Sequence, residues 1–294
     1  LKLHAGTNLL NPLANGLNDR STTVRRAYSR SIAHVARLSK NSAVRKLVRR
    51  ITDQFNSADP SDAGDKARHT SGMVFLALAK AAPNKLKKRI SEILPLFYMA
   101  RFNRNENVRK TYNEVWEVVS TTTAASVREY FKEITTLMLE CLDASSYEIR
   151  RQGADALSEA IGCADMNSAG VFLGEIIDAL TKALSGRYWD GKDAVLRAVV
   201  SVIKFCYEEK HKRASKVDNL GSQTEGDEFS IDSTNFDKLI DLMLRECKRK
   251  GNNNYVKNAV ESVGKLLEAL KDCDYYERIS NVVLEIEKVA REKE

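Results

Sequence analysis

Residues 186–193 are the stretch of this sequence that most resembles a chemical motif. They match the G-x-x-x-x-G-K pattern of loops that hold nucleotide phosphates. The residue after Lys192 is Asp193, however, where such a loop has Ser or Thr to bind magnesium, and a carboxylate repels phosphate. The loop also carries bulky side chains and follows a helical pattern instead of a strand. The segment therefore does not predict nucleotide binding, and no cofactor is expected.

Other catalytic patterns are missing from the sequence. Neither G-x-S-x-G, H-E-x-x-H nor C-x-x-C occurs, and the four histidines stand apart from any repeated acid or thiol. The five cysteines are odd in number, widely spaced and mostly on apolar helical stripes, which suits reduced thiols. We therefore expect a protein that is not an enzyme, holds no metal and works in the cytoplasm and nucleus.

Regularly spaced cations give the strongest indication of the fold. Their separations are 43, 41, 41, 42 and 65 residues, the last being one period plus an insertion of about 23 residues. The cations are Arg25, Arg68, Arg109, Arg150, Lys192 and Lys257. A period near 42 residues that contains two helices is typical of HEAT units stacked in a solenoid.

An acid or amide precedes the first three of these cations by six residues. These residues are Asp19, Asp62 and Asn103. In a turn that enters a helix they can accept hydrogen bonds from the first N–H groups, and we expect neighbouring repeats to form a structural ladder of Asp and Arg. At Ala144, Gly186 and Gly251 the acid is missing, which predicts a weaker ladder from there onward.

Apolar residues recur with the period of paired helices. In residues 24–38 they fall at i, i+3, i+4, i+7, i+8, i+11 and i+14. The sequence predicts an all-α HEAT-repeat solenoid, an α-α superhelix, of about six helix pairs at 6–38, 41–82, 85–122, 125–163, 168–208 and 235–270, with a terminal helix at 274–291. Residues 1–207 would hold repeats 1–5 and residues 235–294 repeat 6 with the terminal helix. The sequence begins within the pattern, so we expect one solenoid fragment of a longer protein.

Residues 208–234 break this pattern, because they are polar, mixed in charge and without an apolar stripe. We expect a flexible loop inserted between repeats five and six. Its cations Lys210, Lys212, Arg213 and Lys216 could form a nuclear import signal, and Ser215, Ser222 or Ser230 could be phosphorylated.

Charge is divided unevenly along the chain. Residues 1–130 carry 23 Lys and Arg against 10 Asp and Glu, a net charge of +13, whereas residues 131–294 carry 24 against 30, a net charge of −6. The basic runs are either solvated helix faces or a docking patch for an acidic protein; nucleic acid is disfavoured because few aromatic residues lie among the cations. No apolar run approaches the length of a membrane span.

The candidate partner-binding residues are Arg49, Arg50, Lys87, Lys88, Arg89, Tyr188 and Trp189. For the last two, the alternative is that Trp189 packs between helices beside a structural Lys192.

Two stretches resemble a known family. The segment GRYWDGK at 186–192, followed by DAVLRAVVSV, resembles the G-R-x-W-x-G-K segment of the proteasome adaptor and scaffold family. The opening stretch LLNPLANGLNDRSTTVRRAYSRSIAHVARLS is similar to repeats of that family, in the same order. The resemblance implies a non-catalytic scaffold that binds the 26S proteasome, bridging its core and regulatory particles in assembly, stability and quality control. The alternative is a HEAT-repeat nuclear transport receptor or another HEAT scaffold.

Overall fold

The computed structural model describes residues 2–220 and 233–270, together with 276–277, 279–281 and 283–284. Every regular element in these ranges is a helix, which confirms the predicted all-α class. The helices are α1 (Lys2–Asn15), α2 (Thr22–Leu38), α3 (Asn41–Asn56), α4 (Asp62–Ala81), α5 (Pro83–Lys87), α6 (Ile90–Ala100), α7 (Glu106–Val119), α8 (Thr123–Glu129), α9 (Phe131–Leu142), α10 (Tyr147–Cys163), α11 (Met166–Ala169), α12 (Leu173–Ser185), α13 (Asp193–Leu220), α14 (Ser233–Cys247) and α15 (Asn253–Ala269). Short 3-10 turns follow α1 and α11.

The chain forms two compact units, Leu1–Ser126 and Val127–Glu294, which we call unit 1 and unit 2. In unit 1, α1, α3 and α6 each pack against the helix that completes their pair, which is α2, α4 and α7 respectively. The helices α2, α4 and α7 also pack side by side. Unit 1 is therefore a two-layer stack of helix pairs, as a HEAT-type repeat requires.

Aromatic side chains fill the interior of unit 1. The rings of Phe55 and Tyr112 lie 5.5 Å apart edge to face, and those of Phe75 and Phe97 lie 4.8 Å apart. All four residues are buried and come from α3, α4, α6 and α7. Because each ring touches a side chain of another helix, this cluster fixes the spacing between successive pairs.

Unit 2 repeats the two-layer arrangement. The helices α9, α12 and α14 form one layer, and α10, α13 and α15 form the other, with contacts both within each layer and within each pair. Small residues of α10 and α13 allow the second layer to pack closely: Ala154, Ala156, Ala194 and Ala198 are fully buried. The helix pairs of unit 2 are therefore α9 with α10, α12 with α13 and α14 with α15.

The expected loop at 208–234 is helical as far as Leu220, because α13 continues to that residue. Its residues are good helix formers, and ion pairs join Lys204 to Glu208 and Glu209 to Lys212 along the helix. Helix propensity therefore extends α13 past the end of its apolar stripe. Residues 221–232, with the predicted phosphorylation sites Ser222 and Ser230, lie outside the described residues, as does most of the predicted terminal helix.

Candidate partner-binding surfaces

The recurring cations bind main-chain carbonyl oxygens of the turn that precedes them. In Arg25, Nη1 donates to the carbonyl oxygens of Asp19 and Arg20, both at 2.9 Å. In Arg109, Nη1 donates to those of Asn103 at 2.9 Å and Arg104 at 3.2 Å. The acceptors lie six and five residues before the cation in both repeats. Each guanidinium thus holds the turn between the two helices of its pair.

The same contact continues in unit 2, where the residue six positions before the cation is not an acid. The guanidinium of Arg150 donates to the carbonyl oxygen of Ala144. Nζ of Lys192 donates to the carbonyl oxygens of Gly186 at 2.9 Å and Leu184 at 2.8 Å. Since the acceptor is the main chain, any residue type serves at that position. This explains how the contact persists at Ala144 and Gly186, where a weaker ladder is predicted.

The acidic and amide side chains of the turns have other roles. The Asp19 carboxylate accepts from the N–H of Ser21 at 2.7 Å, and the Asn103 side chain accepts from the N–H of Asn105 at 2.9 Å, so both shape the turn itself. Burial lowers the pKa of Arg25, and the charge of Asp19 partly offsets this effect.

Arg68 and Lys257 depart from the common pattern. Arg68 donates to the carbonyl oxygens of Ala58 and Asp59 and pairs at 3.1 Å with Asp65, whereas the predicted Asp62 is exposed in the first turn of α4. The longer turn before α4 moves the acceptors, which counting residues cannot reveal. Lys257 is exposed on α15 and, within the described residues, makes no side-chain hydrogen bond.

Within the described residues, Asp65 makes a contact between neighbouring turns that resembles the expected ladder. Its Oδ2 accepts from the side-chain amide of Asn105 at 3.2 Å and lies 3.8 Å from Nε of Arg104. Asp65 therefore joins the turn before α4 to the turn before α7.

Lys192 of the GRYWDGK segment forms a buried ion pair with Glu246 of α14. Lys192 and Glu246 are both 0% exposed, and their Nζ and Oε1 atoms lie 3.3 Å apart. Gly191, at φ +96°, takes a conformation that favours glycine and turns the chain so that Lys192 enters the interior. Burial lowers the pKa of Lys192, and the charge of Glu246 opposes that shift.

Two further side chains complete the contacts of Glu246. Arg249 donates to both carboxylate oxygens, at 2.7 and 2.8 Å, and the Tyr255 hydroxyl donates at 2.8 Å. Burial alone raises the pKa of Glu246, but the hydrogen bonds from Arg249 and Tyr255 bring it below its ordinary value. These contacts link the turn before α13 to α14 and α15. Sequence reasoning missed Glu246, Arg249 and Tyr255, because no spacing rule relates them to Lys192.

The two aromatic residues of the segment also serve packing. Trp189 is buried and stacks on Tyr147 with ring centroids 5.6 Å apart, which matches the alternative of a tryptophan packed between helices. The Tyr188 hydroxyl accepts from Asn252 at 2.7 Å, and its ring meets Tyr255 edge to face at 5.0 Å. Trp189 is therefore not an exposed partner contact, whereas Tyr188 keeps 36% of its surface exposed.

Most side chains of the basic runs that are partner-binding candidates are exposed to solvent, and one is partly buried. Arg49, Arg50, Lys87 and Lys88 are exposed on α3 and at the end of α5. Arg49 lies 4.0 Å from Asp53 in a pair at the surface, whereas Arg89 is partly buried and pairs with Glu92 at 2.7 Å. The exposed four remain predicted partner contacts.

A basic groove of about 670 Å³ lies on unit 1, across α2, α4 and α7. Arg26, Arg30, His34 and Arg37 line it from α2, and Lys80 lines it from α4. Sequence reasoning missed this groove because the cations are not consecutive. On α2 the four side chains are spaced at i, i+4, i+8 and i+11, which places them on one helix face, and this pattern could have revealed them.

Within the described residues, no group of three His, Cys, Asp or Glu side chains could hold a metal ion. None of the described helices is both long enough and apolar enough to cross a membrane.

Paired helices in two layers, with turns held by a repeated cation, define the chain as a HEAT-type repeat protein. A model of the family described as "Proteasome adapter and scaffold protein ECM29, HEAT-repeat domain" matches residues 1–56. The chain is 25% identical over 283 residues to the Proteasome adapter and scaffold protein ECM29 of Homo sapiens, covering 94% of this chain and 14% of that protein.

Two fungal relatives are similar to a comparable degree. Proteasome component ecm29 of Schizosaccharomyces pombe is 23% identical over 272 residues, covering 92% of this chain and 14% of that protein. Proteasome component ECM29 of Saccharomyces cerevisiae is 23% identical over 185 residues, covering 63% of this chain and 10% of that protein. The resemblance to the proteasome adaptor and scaffold family is therefore confirmed, since the chain is similar to these proteins along most of its length. It spans about one seventh of the length of the human relative.

Proposed function

We propose that this chain is a segment of a non-catalytic scaffold that binds the 26S proteasome. The observation that carries the proposal is its similarity, along almost the whole chain, to relatives named as proteasome adapters, scaffolds or components. The physical form agrees with this role, because stacked helix pairs present long surfaces to protein partners. The described contacts of the GRYWDGK segment are structural, which also favours a role in binding over catalysis.

In finer detail, the proposed scaffold joins the core and regulatory particles and so contributes to proteasome assembly, stability and quality control. Its proposed location is the cytoplasm and nucleus, where proteasome subunits would be its partners. The net charge of +7 on this chain favours acidic protein surfaces as partners.

Affinity purification of proteasomes through a tagged core-particle subunit tests the proposal. We expect the full-length protein that carries this chain to be recovered in the proteasome fraction. Deletion of residues 1–294 of this chain should reduce the fraction of regulatory particle that stays with the core particle after a salt wash. Absence of the full-length protein from proteasome fractions would contradict any scaffold role, whereas its presence without an effect on particle association would contradict only the bridging role.

A further inference from the structure

We propose that the basic groove of unit 1 binds an extended acidic segment of a partner protein in which carboxylate side chains alternate with apolar ones. The groove is lined by four permanent cations, Arg26, Arg30, Arg37 and Lys80, against a single carboxylate, Glu114. All five side chains are exposed. The excess of positive charge favours an anionic occupant.

These cations are not neutralised by the protein itself. Within the described part of the chain, none of Arg26, Arg30, Arg37 and Lys80 has a carboxylate within 4.0 Å or a side-chain hydrogen bond. The positive potential also reaches inward to His69 on α4, whose pKa is lowered first by burial and then by the charges of Arg25 and Arg26. The lining of the groove is therefore electrostatically unsatisfied and available to carboxylates.

The spacing along α2 suits an extended chain. Arg26 and Arg30 are four residues apart, a rise of about 6 Å along the helix. Alternate residues of an extended peptide are about 6.6 Å apart and point to the same side. Successive carboxylates at every second position of a bound segment can therefore meet these two arginines, and the long side chain of Arg37 extends the row.

The apolar residues of the groove indicate that the bound segment also carries apolar side chains. Met73, Leu76 and Ala77 of α4 line it beside the cations, with Ala33 of α2. Apolar side chains that alternate with the carboxylates can cover this floor. Among the described residues no Phe, Tyr or Trp lines the groove, so it lacks the large platforms on which single-stranded nucleic acid stacks its bases. These features favour an amphipathic acidic peptide over nucleic acid.

Fluorescence anisotropy of the whole 294-residue chain with a labelled peptide of alternating Glu and Leu tests the proposal. We expect saturable binding that weakens as salt rises, because exposed charges are screened. The variant Arg26→Glu/Arg30→Glu/Arg37→Glu should lower the affinity by at least about tenfold, which equals about 1.4 kcal/mol. The neutral variant Arg26→Gln/Arg30→Gln/Arg37→Gln provides the same test with less repulsion, and circular dichroism checks that both fold.

The matched control is Arg45→Glu/Arg49→Glu/Arg50→Glu, which makes the same change of charge on exposed arginines of α3. It should alter the affinity by less than about twofold. Both variants change the net charge of the chain equally, but only the α2 variant changes side chains that line the groove, and charges farther away are screened by salt. A peptide with its Glu and Leu residues in separate blocks should bind more weakly than the alternating one. Equal losses in the α2 and α3 variants, no binding at low salt, or no preference for alternation would overturn the proposal. So would tighter binding of an oligothymidylate of equal charge that the α2 variant abolishes, since this would identify a nucleic-acid groove.

Discussion

Two sets of cations on second-layer helices, one in each unit, have opposite surroundings. On α2 and α4 of unit 1, Arg26, Arg30 and Lys80 face a groove without an acidic partner in the described structure. On α10 and α13 of unit 2, Arg197 donates to Asp155 at 2.7 Å and to Asp193 at 2.6 Å. The same side-chain chemistry thus joins helices at Arg197 and is available to other molecules in the groove of unit 1.

The charge of each unit follows this division. Unit 1 contains 22 Lys and Arg against 9 Asp and Glu, a net charge of +13, and unit 2 contains 25 against 31, a net charge of −6. A unit with such an excess of cations cannot pair all of them internally. We infer that substitution of the groove cations of unit 1 should affect binding, whereas substitution of the paired cations Lys192 and Arg197 of unit 2 should affect stability.

The largest expected effect comes from the buried ion pair of unit 2. Lys192→Met should lower the free energy of unfolding by about 3 kcal/mol, because it leaves Glu246 and two carbonyl groups without a buried cation. Urea denaturation followed by circular dichroism measures this loss. Lys257→Met is the matched control, since Lys257 is exposed, and should change stability by less than about 0.5 kcal/mol.

The double variant Lys192→Met/Glu246→Gln sharpens this result. If the two side chains interact, removal of both charges should destabilise unit 2 by less than the sum of the single changes. Additive losses would show that Lys192 acts through the carbonyl oxygens of Leu184 and Gly186 alone.

A smaller effect distinguishes the exposed faces of the two units directly. Arg197→Gln should lower the free energy of unfolding by about 1 kcal/mol, a modest value because the Arg197 side chain is 37% exposed and its ion pairs are partly screened. Arg30→Gln, which removes a cation without a described partner, should leave stability within about 0.5 kcal/mol. Thermal or urea unfolding of both variants checks the pair. Equal losses would remove the distinction between the two units.

The pH dependence of unit 1 should show the burial of His69 and, as a smaller contribution, the charges of Arg25 and Arg26. His69 has a pKa below its ordinary value of 6.5, so between the two values the unfolded chain binds more protons than the folded one. The free energy of unfolding should therefore fall as the pH is lowered from 6.5 through this window. In His69→Gln this contribution should vanish. A His69→Gln variant with the same pH profile as the unchanged protein would contradict the assignment.

The sequence predicted the fold more fully than the surfaces. Helix pairs follow from apolar periodicity, and cations at positions such as 25 and 109 mark the repeats, because one turn geometry recurs in each. Pairings distant in sequence, such as Lys192 with Glu246, depend on how repeats stack, which local spacing does not encode. The groove of unit 1 was missed for a different reason. Its arginines become neighbours only on a helix face, whereas a search for consecutive cations finds runs such as Lys87 and Lys88.

The smallest effect is a rate that reports on unit 2 alone, because all five cysteines lie in residues 127–294. Burial raises the pKa of Cys141, Cys206 and Cys247 to about 12, so almost no thiolate forms at pH 8 while the unit stays folded. In a Cys163→Ser/Cys273→Ser background, labelling by a thiol reagent should therefore require opening of unit 2. Lys192→Met should accelerate that labelling, whereas Arg26→Gln and Arg30→Gln should not, because their side chains belong to unit 1. Acceleration by the unit 1 variants would show that the two units open together. The cations of the two units would then differ in the binding of partners but not in which unit they stabilise.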